Sequence, residues 1–132
     1  MDAIYIDATD ETPYVALDAE KKVFEFSGKS LPEDVVTFYQ PIIDWLEEFG
    51  SNPGSDNVIS FKMDYFNTAS SKMILDILIK LEEIQEEHDC INVKWYFQED
   101  DEDMEEAGEE YFETPVLDLP QAHCVRLFVA NS

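Results

Sequence analysis

The chain has 132 residues, 45% of them apolar and 13% aromatic. That suits one domain, 1–132, burying about two thirds of its unfolded surface, and excludes a chain disordered throughout. Thirty-one Asp and Glu stand against eight Lys and Arg, a net charge of −23, which repels nucleic-acid phosphates and anionic membranes and disfavours both as partners. Such a surface suits a basic protein partner, or is the general habit of an acidic or high-salt proteome; composition does not separate the two. No apolar run reaches the roughly 18 residues of a membrane helix, and acids stand where a signal peptide would carry Lys or Arg, so a soluble, cytoplasmic protein is expected.

In chain order, Tyr14 to Leu17 and Val23 to Phe26 read as β-strands joined by the turn Asp18–Lys22. Gly28 and Ser30-Leu31-Pro32-Glu33 break that pattern, with Ser30 and Glu33 spaced as a capping box. Val35, Phe38, Tyr39, Ile42, Ile43, Leu46 and Phe49 then recur at helical spacing up to Gly50, with Pro41 expected to kink or restart the helix. After the loop 51–56, Ile59, Phe61, Met63 and Tyr65 alternate as the apolar face of a strand. A second helix carries Met73, Ile74, Ile77, Leu78, Leu81 and Ile84 on one stripe. Ile91, Val93, Trp95 and Phe97 alternate as a further strand, which the crossover makes parallel to the previous one. Glu99 to Glu110, with nine acids, is either a short charged helix or a solvated loop, and Pro115–Leu119 and Val125–Val129 suggest short strands or a docked tail. The order of elements is that of an α/β fold, a mixed sheet flanked by helices.

Enzyme signatures such as GxGxxG, the Walker loop, GxSxG and HExxH do not occur. No catalytic residue, cofactor or metal ligand is assigned, and the chain reads as a non-enzyme. His88 suits a helix C-terminus, and His123 and Cys124, adjacent in a strand, point to opposite faces. Cys90 and Cys124 read as buried free thiols. The acidic run lacks the EF-hand order; it is a solvated face, a docking surface for a basic groove or, less readily, a small metal-binding module.

The densest cluster of side-chain chemistry is Asn67-Thr68-Ala69-Ser70-Ser71, where a strand runs into a helix. Free N–H groups and the helix dipole favour an anion there. Thr68 or Ser70 serves as a plain helix cap, or a hydroxyl here is a phosphate acceptor; spacing alone leaves both open.

Several segments together resemble one family: 8–13 (ATDETP), 28–33 (GKSLPE), 39–46 (YQPIIDWL), 64–72 (DYFNTASSK), 93–97 (VKWYF) and the acidic 99–108. Over residues 4 to about 118 the chain resembles the SiaC family of regulatory phosphoproteins; the segment after Leu119 has no counterpart in that pattern. The resemblance implies a STAS-like fold and a phosphoacceptor at Thr68, framed by the partner-binding residues Asn67, Ala69, Ser70, Ser71 and Lys72. It further implies a dedicated protein kinase and a PP2C-type phosphatase. The unphosphorylated form is then expected to bind and activate a diguanylate cyclase or another output protein, raising cyclic di-GMP and favouring aggregation or biofilm growth. A partner-switching module of the anti-anti-sigma type is the alternative.

Overall fold

The computed structural model describes residues 2–111 with their side chains and residues 112, 113 and 123–127 as backbone. The described elements are β1 (Ile4–Ile6), β2 (Tyr14–Asp18), β3 (Val23–Ser30), α1 (Val35–Ser51), β4 (Asn57–Phe66), α2 (Thr68–His88), β5 (Ile91–Gln98), α3 (Glu102–Glu113) and β6 (His123–Leu127). The six strands form one sheet in the order β1-β2-β3-β4-β5-β6. β1, β2 and β3 pair antiparallel, and β3, β4, β5 and β6 pair parallel. Among the described residues, one helix lies in the chain between the strands of each parallel pair. Strands that advance steadily in one direction through right-handed crossovers must place all those helices on the same face.

That face holds the core. Phe24 and Phe26 of β3, Ile59, Phe61 and Met63 of β4, and Ile91, Val93, Trp95 and Phe97 of β5 are all buried. Against them pack Ile42, Trp45, Leu46 and Phe49 of α1, Ile74, Ile77, Leu78, Leu81 and Ile84 of α2, and Met104 of α3. Burying each such side chain contributes about 1.5–3 kcal/mol before entropy. Lys80 of α2 ties the two long helices together outside the core, reaching Glu47 of α1 at 2.7 Å and Glu83 at 3.0 Å. The opposite face carries Glu25, Ser27, Lys62, Asp64, Lys94 and Tyr96, and no described helix covers it. A shallow pocket of about 290 Å³ lies there.

Several expectations need correction. Gly28 does not end the second strand of the hairpin; β3 continues to Ser30 through an irregularity at Gly28/Lys29, where Gly28 takes φ +102°. Gly28 pairs with Met63, but Lys29 already pairs with Tyr65, so β4 carries one extra residue there. One inserted residue exchanges the faces of everything after it. Tyr65, expected on the apolar face, is therefore 54% exposed, and Phe66 turns inward against Trp95 and Tyr111. Ser30 closes the strand and is no helix cap; Asp34 caps α1, accepting from the Thr37 N–H at 3.2 Å and the Thr37 hydroxyl at 2.7 Å. Pro41 does not restart α1, because it lies on the exposed side, where the freed Thr37 carbonyl meets water. Of the two readings of the acidic run the helix holds from Glu102 onward, as α3. β1 has no counterpart among the expected elements, and Pro115–Leu119 lies outside the described residues. The expected strand Val125–Val129 overlaps β6.

Candidate functional site

The carboxyl ends of β3, β4 and β5 and the starts of α1, α2 and α3 meet at one edge of the sheet, the edge where open α/β sheets place their sites. The hydroxyl cluster lies at its centre. Asn67 is the N-cap of α2, with φ −83° and ψ 176°, and its side-chain oxygen accepts from the Ser70 N–H at 2.8 Å. Neither Thr68 nor Ser70 is the cap. A neutral amide does that work, which leaves the threonine hydroxyl uncommitted.

Ser70 turns inward and is fully buried, as is Ser30. The Ser70 hydroxyl donates to the Ser30 carbonyl at 3.0 Å, and the Ser30 hydroxyl donates to Ser70 Oγ at 2.8 Å. Each hydroxyl has one proton, so Tyr39, whose phenol oxygen lies 2.5 Å from Ser30 Oγ, must be the donor in that contact. Burial pushes the Tyr39 phenol above its ordinary range and keeps it a neutral donor. The Ser30 carbonyl also accepts from the Asn67 N–H at 3.1 Å. This network fastens the first turn of α2 to the end of β3 and to α1.

Thr68 is the first residue of α2 and is exposed. Its carbonyl accepts from the Ser71 hydroxyl at 2.8 Å; among the described residues nothing holds its own hydroxyl. Ala69 and Lys72 are also exposed, and Ser71 is half-buried. From the other side, the Tyr111 hydroxyl of α3 donates to the Ser71 carbonyl at 2.8 Å. Sequence spacing did not single out Tyr39, Ser30 or Tyr111 as companions of this turn, since they come from three other elements.

The three helix starts differ in charge. α1 begins at the carboxylate of Asp34, held below its usual range by hydrogen bonds from the Thr37 hydroxyl and N–H. α3 begins at Asp101, which accepts from the Met104 N–H at 3.0 Å, and has Glu102, Asp103 and Glu105 in its first turn. α2 has a neutral cap and no acid in its first turn. Of the three it is the start whose dipole has no anion of its own. Elsewhere, His88 lies in the last turn of α2, and Cys90 is a half-buried free thiol raised by burial. Among the described residues no three His, Cys, Asp or Glu converge to hold a metal ion, and no helix is long and apolar enough to cross a membrane.

A model of the family described as SiaC family regulatory phosphoprotein matches residues 6–119. An uncharacterized protein of Pseudomonas aeruginosa (strain UCBPP-PA14) is 28% identical over 113 residues, covering 86% of this chain and 90% of that protein. The solved structure of SiaC of Pseudomonas aeruginosa superposes with a TM-score of 0.80 at 28% identity, over 93% of this chain and 100% of the other. A chain in the crystal structure of diguanylate cyclase SiaD in complex with its activator SiaC, from the same organism, gives a TM-score of 0.84 at 25% identity, over 94% of this chain and 99% of that one. Sheet, helices and sequence agree, and the chain belongs to the SiaC family of regulatory phosphoproteins.

Proposed function

We propose that this protein is a cytoplasmic, non-enzymatic phospho-switch whose acceptor is Thr68. A dedicated protein kinase adds the phosphate and a PP2C-type phosphatase removes it. The unphosphorylated form binds and activates a diguanylate cyclase, in line with the activator role of SiaC toward SiaD, and so controls cyclic di-GMP and biofilm growth. Asn67, Ala69, Ser71 and Lys72 frame the contact, and Ser70 holds the turn from beneath. One observation carries the reading. Of the hydroxyls in the turn, that of Thr68 is exposed and has no partner among the described residues, while that of Ser70 is buried and that of Ser71 is occupied. The neutral start of α2 offers a new phosphate free N–H groups, and a phosphate adds about −1.5 to −2 charge to a surface already strongly acidic.

The test combines kinase and ATP with intact-mass and peptide mass spectrometry, then a cyclase assay. One phosphate on Thr68 is expected, with cyclase activation lost on modification. Thr68→Ala takes up no phosphate and activates constitutively, and Thr68→Asp activates weakly. Phosphate on Ser71 with none on Thr68 would sink the assignment.

A further inference from the structure

The helix beside the switch, α3, is poorly stabilised by its own sequence. Seven of its twelve residues are Asp or Glu and none is Lys or Arg. Glu102/Glu106, Glu105/Glu109, Glu106/Glu110 and Glu109/Glu113 place like charges four residues apart, and acids crowd the negative end of the dipole. Among the described residues, Trp95, Phe66 and Ser71 anchor α3. Met104 is buried, and its carbonyl accepts from Trp95 Nε1 at 3.0 Å. Gly108 lies flush on the Trp95 ring, where a Cβ would come within 2.4 Å of Cδ1. Tyr111 packs on Trp95 at 5.4 Å and on Phe66 at 6.4 Å, and its hydroxyl ends on the Ser71 carbonyl.

These anchors run to the turn that carries Thr68. Between them, a cleft of about 200 Å³ is lined by Asp64, Tyr65 and Phe66 on one side and by Asp101, Asp103, Met104 and Ala107 on the other. Thr68 follows Phe66 by two residues, so a phosphate there adds negative charge to a turn whose neighbouring cleft already holds Asp64, Asp101 and Asp103. Lys72, one turn on, is the single cation in the first two turns of α2. The neutral start of α2 favours an anion, and the acidic start of α3 opposes one.

We infer that α3 is the reader of the switch: phosphate on Thr68 repels the acidic start of α3, breaks the Tyr111–Ser71 contact and lifts the helix from Trp95. This rests on Thr68 being the acceptor. The test uses the full chain with phosphothreonine installed at position 68 by genetic encoding, so it does not depend on the kinase. Hydrogen exchange of 101–111 should become about tenfold faster than in the unmodified chain, while 35–51 is unchanged. In a Trp45→Phe background, acrylamide quenching of Trp95 should rise. Salt at about 0.5 M, with a Debye length near 4 Å, should shrink both differences. Tyr111→Phe without phosphate should speed exchange of the same segment several-fold. Unchanged exchange and quenching on phosphorylation would overturn the inference, whatever the cyclase does. Release of α3 with undiminished cyclase binding would instead overturn the functional reading and leave this one standing.

Discussion

α1 starts five positions after the end of β3 and α2 two positions after the end of β4, at the same edge of the same sheet, and both are capped by similar side chains. Asp34 gives α1 a full negative charge, taken up by Thr37. Asn67 gives α2 the same hydrogen-bond geometry without the charge. The first start is electrostatically complete; the second is mechanically complete and electrostatically unfilled. The residue after each cap reflects this: Val35 leads into a helix whose task is packing, whereas Thr68 stands exposed, its hydroxyl unbonded among the described residues. A switch needs both properties, a rigid turn and an unfilled charge site.

The comparison can be broken most severely from below. Ser70→Ala removes the hydroxyl that joins Ser30 to the helix and takes away the acceptor of the buried Ser30 hydroxyl. A loss of about 1–3 kcal/mol in urea unfolding is expected, while the exposed Thr37→Ala at α1 should cost clearly less. A smaller effect sharpens the contrast. Asn67→Asp gives α2 the cap of α1, and the unmodified chain should gain roughly 0.3–1 kcal/mol from the dipole. The same change should make phosphorylation at Thr68 destabilising, read as the difference in melting temperature between modified and unmodified forms. A phosphate tolerated equally by both caps would mean that the neutrality of Asn67 is irrelevant.

The smallest effect is one of pH. The folded Asp34 carboxyl lies below its ordinary value because the Thr37 hydroxyl, and then the Thr37 N–H, stabilise its charged form. Its contribution is therefore fully present above the unfolded value of about 3.9 and is lost as pH falls through the lower folded one. Unfolding curves for wild type and Asp34→Asn should converge on acidification through that range. The pair Asn67 and Asn67→Ala should keep a constant gap, since an amide does not titrate.

Much of this was legible in the sequence. The alternation of β5 and the apolar stripe of α2 matched the structure because a face buried against a single layer imposes a strict period. The hydroxyl turn was visible for the same reason, as the place where period two gives way to period 3.6. Which residue capped it was not, since Asn67, Thr68 and Ser70 all have capping side chains and only the phase of the strand decides. The inserted residue near Asp64 shifted that phase, turning Tyr65 out and Phe66 in, and a bulge leaves no mark in a pattern of apolar letters. α3 was ambiguous because its charges argue against a helix, and what fixes it is Trp95, which lies in another element.

The strand order has a consequence for how the molecule is made. Among the described strands, each from β2 onward pairs with its immediate predecessor in the chain, so each can dock on a finished edge as it leaves the ribosome, without waiting for a distant partner. Of the described elements, the hairpin of β2 and β3 precedes the turn bearing Thr68, and α3 and β6 follow it. The turn bearing Thr68 can thus be seated on β3 and α1 before α3 packs against it.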